Sequence, residues 1–320
     1  MAAHHDLIGA MLIGSSARGE PGLESDVDVL LFNATAEPGE GRLIRNWQEW
    51  HDGYEVDFNE ISATAGLDVE RILRDAYWVS GMYEGSILLD PEGRLGGAQR
   101  QVRRAFLDPG RLQQRLQPVL HVVRRNIGEL RAAVGSGNRP EFCRAMSFAL
   151  WTVCDALLVR ASRSPSRFHG SERLESIVPD EHGAMLRQEG TVEMPPHVAA
   201  GHLDWLSSHG VVGCETLAKL RSMAARGRHR EALHIAFTFL GGHVKDASRS
   251  GDRHKAALAW ETASAWLARM GWDAEVLAAK AREVDRFVEH VCRLCGDGNA
   301  RNFKHSRHRV SGARKAQVRG

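Results

Sequence analysis

The spacing of apolar residues changes once along this chain, near residue 98, and that change restricts the fold to a small sheet followed by helices. Before it, the apolar residues come in short runs broken by glycine and turn residues. Ala10–Ile13 stops at Gly14, Val27–Phe32 is rich in valine and leucine, and Ser86–Leu89 closes on the turn Asp90-Pro91-Glu92-Gly93. Tyr54–Ile61 alternates Tyr54, Val56 and Phe58 with Glu55, Asp57 and Asn59, the period of a strand with one polar face. That alternation predicts Val56 and Phe58 on the core side and Asp57 on the other. Val69–Tyr83, between the third and fourth runs, is compatible with a helix.

After residue 98 the steps become three and four. Leu112, Leu116, Val119, Val123, Ile127, Leu130 and Val134 mark one helix, with Pro118 expected to kink it. Asn138 is placed to cap the next, whose apolar face is Phe142, Met146, Leu150, Val153 and Leu157. The stretches Ser162–His169 and Glu189–Pro196 read as loops. Val198–Leu206, Glu215–Ala225, Arg230–Val244, His254–Met270 and Asp273–Leu294 read as further amphipathic helices. All the tryptophans, Trp47 and Trp50 included, read as core residues of helical patterns rather than stacking platforms. The expected architecture is α+β: a mixed sheet with flanking helices over residues 1–97, an all-α bundle over 98–296, and a basic, disordered tail over 297–320.

A chain of 320 residues is long enough for two cores. The net charge of +2 conceals an asymmetry. Residues 1–92 hold eighteen acidic residues against five arginines and no lysine, whereas the last twenty hold seven basic residues and no acid. Such a split reflects different partners for the two parts, or an acidic domain docked on a basic one. No apolar run looks long enough for a membrane span, and the N-terminus lacks a secretory layout. The five cysteines are accordingly expected to be reduced thiols of a cytoplasmic protein.

The chemistry concentrates between residues 14 and 57. Asp26 and Asp28, two apart on a strand, project from the same face, and Asp57 holds a similar position on a later strand. Adjacent carboxylates repel unless a cation sits between them, and oxygen-only ligands suit Mg²⁺ or Mn²⁺. If the two strands are neighbours, the three converge as required for two metal ions roughly 3.5–4 Å apart, one activating a hydroxyl and one bridging a triphosphate. Gly14 lets the backbone approach phosphate oxygens, Ser15 adds a donor, and Arg18 can reach the β- and γ-phosphates. The GxxxxGK[ST] pattern of a P-loop does not occur.

Gly14-Ser15, ten further residues, Asp26-Val27-Asp28 and then Val56-Asp57-Phe58 resemble the motif of the DNA polymerase β-like nucleotidyltransferases, and within them the antibiotic (kanamycin-type) and minimal nucleotidyltransferases. The resemblance implies a small α/β nucleotidyltransferase domain joined to a helical substrate-binding domain. It further implies metal ligands at Asp26, Asp28 and Asp57, nucleotide contacts at Gly14 and Ser15, and two Mg²⁺ with ATP or another NTP. It covers residues 10–60 well and the chain to about 170 more weakly. One departure is that only a few residues precede the first strand, where the family usually has a helix.

The expected reaction is transfer of a nucleotidyl group, AMP for ATP, to a hydroxyl with release of pyrophosphate. The base is Asp57 or a carboxylate of the helical half. The resemblance implies a helical-domain glutamate, for which Glu129 lies at a suitable chain distance, and Asp155 is another candidate. The acidity of residues 1–92 favours a small polycationic acceptor such as an aminoglycoside. The arginine-rich half and the tail would instead suit RNA or protein, and a binding or antitoxin-like member without catalysis is a third reading. The resemblance also makes a homodimer conceivable. Separately, Cys292-x2-Cys295 followed by His305-x2-His308 presents four zinc-type ligands, at spacings shorter than those of the usual finger. The bland alternative is two small apolar residues at a helix end and histidines in a basic tail.

Overall fold

The computed structural model describes residues 6–19, 26–34, 43–165, 170–191 and 194–296. Five strands, β1 (Leu7–Ile13), β2 (Val27–Asn33), β3 (Leu43–His51), β4 (Tyr54–Ser62) and β5 (Ser86–Leu89), form one sheet in the order β3-β4-β2-β1-β5. β2 and β4 are parallel and the other pairings antiparallel, so the sheet is mixed. One turn of helix, α1 (Gly14–Ala17), follows β1. Between β4 and β5 run α2 (Ala63–Gly66), α3 (Val69–Arg74) and α4 (Ala76–Glu84). The segment 69–83 is thus two helices rather than one. Asp75 ends α3 and caps α4, its carboxylate accepting from the backbone N–H groups of Tyr77 and Trp78.

The strand β3 has no counterpart among the four expected. It lies at the sheet edge, so nothing forces an apolar alternation on it. Its signal is the hairpin turn Asp52-Gly53, both in the left-handed region at φ 51° and 83°. Trp47 and Trp50 therefore lie on a strand. Trp47 stacks on Phe58 at 5.2 Å, and Trp50 is 69% exposed, so neither is a helical core residue.

The sheet's core face is the reverse of the one expected. Met11, Leu30, Phe32 and Ile61 are buried under Ile72, Val79, Met82, Leu95 and Val102. Residues at alternate positions of a strand share a face, so Asp28 lies with Leu30 and Phe32, and Asp57 with Ile61. The carboxylates therefore continue the covered face at one end of the strands, while Val56 and Phe58 sit half-buried on the opposite face.

Ten helices follow among the described residues: α5 (Arg94–Ala105), α6 (Pro109–Gly135), α7 (Arg139–Arg160), α8 (Gly170–Ile177), α9 (Pro179–Gln188), α10 (Pro196–Ser208), α11 (Cys214–Ala225), α12 (His229–Arg249), α13 (Arg253–Arg269) and α14 (Ala274–Gly296). The last five match the periodic segments to within a few residues, and α8 and α9 fill the span between the two expected loops. α6 continues through Pro118 as a single helix. Asn138 caps α7, accepting from the N–H of Glu141. α7 is the bundle's central helix, packed on α6, α12, α13 and α14. Contrary to the reading of apolar runs, it is long and apolar enough for a membrane span, with mean hydropathy 1.5, but 78% of that window is buried inside the bundle.

The sheet and the bundle have separate cores, one running to Phe106 and the other built from Leu112 onward, with Ala76 of α4 packed into the second. The boundary drawn at residue 97 falls inside α5, whose Leu95, Ala98 and Val102 belong to the first core. The two are tied by polar contacts. The Tyr77 hydroxyl donates to Asp155 at 2.5 Å, Arg111 holds Glu70 through both guanidinium nitrogens, and buried Arg115 donates to the Phe106 carbonyl at 2.7 Å. Residues 297–320, with the expected basic tail, lie outside the described residues.

Within the bundle, Glu189 and His234 form a buried ion pair, with Oε1 2.5 Å from Nδ1 and side chains 2% and 6% exposed. Burial alone would lower the His234 pKa, but the charges of Glu189, Glu231 and Asp155 outweigh it and hold the imidazole above its ordinary value. A histidine raised in the folded state stabilises most below its unfolded pKa, and that contribution is lost as pH rises through the folded one. Glu189→Gln is expected to cost about 3–5 kcal/mol in urea unfolding at pH 6, because it strands a buried charge. The loss should shrink above the folded pKa of His234. An unchanged unfolding midpoint would show that the pair is dispensable.

Candidate active site

The site begins where β1 ends. Ile13 is the antiparallel partner of Asp28, and Gly14 follows it with φ +72°, in the left-handed region. A Cβ at Gly14 would stand 2.1 Å from Asp28 Oδ2. The glycine is therefore required first by the carboxylate beside it, whatever it offers to a phosphate. Ser15 is buried at 8% exposure, and the Ser16 hydroxyl donates to the Asp26 carbonyl at 3.4 Å. No side chain caps the N-terminus of α1.

β2 and β4 are parallel neighbours, with Asp28 opposite Asp57. Neighbouring strands lie roughly 4.8 Å apart, so the two carboxylates stand side by side, and Asp26 precedes Asp28 by two residues on the same side. The strand adjacency on which the sequence argument depended is present. Its electrostatic consequence appears at Asp28, whose pKa is raised from 3.8 to about 6 by burial first and then by the charges of Asp26 and Asp57, against the opposing effects of Arg18 and Lys219. Among the described residues, Asp57 Oδ1 is buried without a hydrogen-bond partner. A carboxylate oxygen stripped of water and given no donor, next to a second carboxylate, is stabilised by a cation.

Arg18 is held away from open solvent. Its Nη1 meets Glu84 Oε2 at 3.1 Å, and the Ser164 hydroxyl donates to the same oxygen at 2.6 Å. The arginine thus fastens the turn after β1 to the end of α4, while its charge still lowers the Asp28 pKa.

Three polar residues at the site escaped the sequence reading. Lys219 on α11 places Nζ 3.8 Å from Asp26 Oδ2 and 3.0 Å from Glu215 Oε1. Glu215 in turn neighbours Glu55, which follows the parity of Asp57 on β4. Burial and that neighbouring carboxyl raise the Glu55 pKa, while the hydrogen bond from Lys219 lowers that of Glu215. The bundle therefore reaches the acidic end of the sheet through α11. Nothing in the linear order of residues 26 and 219 announces that contact.

The two helical carboxylates considered as bases lie elsewhere. Glu129 is paired with Arg144 at 2.7 Å, and Asp155 accepts from the Tyr77 hydroxyl at 2.5 Å. Both line a cavity of about 580 Å³ between α4, α6, α7 and α12, which none of Asp26, Asp28 and Asp57 lines.

The fit of the acidic group to a divalent cation is incomplete in this conformation. Among the described residues, no set of three His, Cys, Asp or Glu side chains is arranged to hold a metal ion. The donor chemistry, the orphaned Asp57 oxygen and the strained protonation of Asp28 suit a hard cation, whereas Asp26 is engaged by Lys219. For the cysteine–histidine group, Cys295 is buried and Cys292 half-buried on α14, and His290 faces Glu181 at 3.6 Å. His305 and His308 lie outside the described residues. Burial raises both thiols, that of Cys295 to about 12. This favours protonated thiols packed at a helix end.

No protein-family model matches the chain, and no curated protein matches it. Among solved structures it is similar to a nucleotidyltransferase-like protein from Exiguobacterium sibiricum, at 14% identity and a TM-score of 0.37, over 90% of this chain and 87% of that one. A likeness at that score carries no argument about the site.

Proposed function

We propose that the chain is a divalent-cation-dependent nucleotidyltransferase of the DNA polymerase β-like type, moving a nucleotidyl group from an NTP to a hydroxyl. The observation that carries the reading is the side-by-side placement of Asp28 and Asp57, one oxygen buried and unpartnered, directly against the Gly14 turn. Asp28 and Asp57, with Asp26 once it turns from Lys219, would hold Mg²⁺. The bound ions would neutralise the triphosphate and lower the pKa of the attacking hydroxyl.

The chain's own groups supply the rest. The backbone at Gly14 and Ser15 would receive the triphosphate, and Arg18, fixed by Glu84, would offer charge to it. The acceptor oxygen would form a bond to the α-phosphorus as the bond to the β-phosphate oxygen breaks, and pyrophosphate would leave with that electron pair. The hydroxyl proton would pass to Asp57, because Glu129 and Asp155 line a different cavity. The surplus of acid over base in residues 1–92 favours a small cationic acceptor, such as an amino sugar, over an RNA. ATP is the expected donor.

The deciding experiment offers NTPs labelled at the α-phosphate, with Mg²⁺, to a panel of aminoglycosides, tRNA and cell protein. Label on an amino sugar supports the whole reading, and label on RNA or protein overturns the acceptor while keeping the chemistry. Absence of label and of pyrophosphate with every NTP and acceptor would leave a binding protein.

A further inference from the structure

Lys219 is a cation that the acidic end of the sheet already possesses, in addition to Arg18. It comes from α11, which packs on α10 and α12, and it reaches across to Asp26 at 3.8 Å. Its side chain is only 16% exposed, and Glu215, one helical turn earlier, braces it at 3.0 Å. Glu55 on β4 neighbours Glu215, so Lys219 and Glu215 bring α11 to both carboxylate-bearing strands. The same Asp26 is one of the ligands a divalent cation would need. In the present arrangement no three carboxylates among the described residues are set to receive one.

We propose that Lys219 is a tethered counter-ion that competes with the divalent cation for Asp26, and so sets how tightly the site holds metal. This inference rests on the metal-dependent reading above. Two positive charges within reach of one carboxylate repel, and a divalent ion repels an ammonium twice as strongly as a univalent one at the same distance. The ammonium must therefore swing away, or the ion must bind with one ligand fewer. Either outcome weakens metal binding in the absence of nucleotide. Glu215 is placed to retain the displaced ammonium, since it holds Lys219 more closely than Asp26 does.

The probe is Mn²⁺ alone, followed by electron paramagnetic resonance of the free ion in titrations of the full chain. Lys219→Met is expected to tighten Mn²⁺ binding on the order of tenfold. Lys219→Arg, which keeps the charge, should stay within about twofold of wild type. Melting curves of each variant show whether it is folded, and the arginine variant carries the test if the methionine variant is not. In that case Lys219→Arg binding Mn²⁺ tenfold tighter than wild type would overturn the proposal, and unchanged affinity would uphold it. Asp28→Ala separates this inference from its foundation. If wild type binds Mn²⁺ and Asp28→Ala does not, yet a folded Lys219→Met binds no tighter than wild type, the competition is refuted while the metal site stands. If wild type and Asp28→Ala bind Mn²⁺ equally weakly, the metal site itself fails and the competition with it.

Discussion

Replacing Asp28 by asparagine is expected to stabilise the metal-free protein near neutral pH while reducing nucleotidyl transfer by roughly a thousandfold. Asp28 carries its proton up to about pH 6, because burial and then the neighbouring charges of Asp26 and Asp57 oppose ionisation. Between its ordinary pKa of 3.8 and about 6, the folded state therefore binds more protons than the unfolded one. Stability must fall as pH rises through that window and then level off. A shift of this size corresponds to about 2–3 kcal/mol at neutral pH. The neutral amide removes that penalty, so the variant's melting temperature should be higher than wild type at pH 7.5 without metal, and nearly independent of pH between 4 and 6 as far as this residue contributes. Mg²⁺ or Mn²⁺ should raise the wild-type melting temperature in the same pH range and leave the variant almost unmoved. The activity loss follows from removing a ligand to ions that supply several kcal/mol of transition-state stabilisation, at 1.36 kcal/mol per decade of rate. A variant that melts below wild type in metal-free buffer at pH 7.5 would show that burial and the neighbouring charges do not make ionised Asp28 unfavourable here.

Gly14→Ala is expected to abolish transfer and to lower stability by more than backbone strain alone. A non-glycine residue in the left-handed region costs about 1–2 kcal/mol. At Gly14 the added methyl would also meet Asp28 Oδ2 at 2.1 Å, so either the carboxylate or the turn must move. Gly19 separates the two effects. Its φ is +70°, yet a Cβ there would meet nothing within 4 Å among the described residues. Gly19→Ala should therefore show the strain by itself, a modest fall in melting temperature with activity retained within a few-fold. Equal activity in the two variants would mean that the approach of Gly14 to Asp28 has no part in the chemistry.

Much of the helical half was legible because burial imposes a period on sequence. A helix that buries one face must repeat apolar residues at three and four, and α10 to α14 obey that closely enough for their bounds to be read to within a few residues. α7 was legible for the same reason, from Phe142 to Leu157, together with its Asn138 cap. The strand β3 escaped because an edge strand need not alternate, and only the Asp52-Gly53 turn marks it. The faces of β4 were assigned the wrong way round. Along one face the residues pass from Asp57 through Asn59 to Ile61, acidic at the site and apolar in the core, so the first six residues of the strand display a pattern opposite to that of its last three.

Residue types and spacing by themselves determined that Asp26 and Asp28 share a face, that a glycine turn precedes them, and that a sheet gives way to helices. These are local consequences of a two-residue strand period, a left-handed turn and a helical repeat. The tertiary structure decided that β4 lies beside β2, which sets Asp57 against Asp28, and that Arg18 is held by Glu84. It also decided that Glu129 and Asp155 face another cavity, and that Lys219, almost two hundred residues along the chain, stands over Asp26. The reason is physical: strand order and helix docking are settled by which apolar faces bury one another, and the charges those faces carry into contact leave no periodic trace in the sequence.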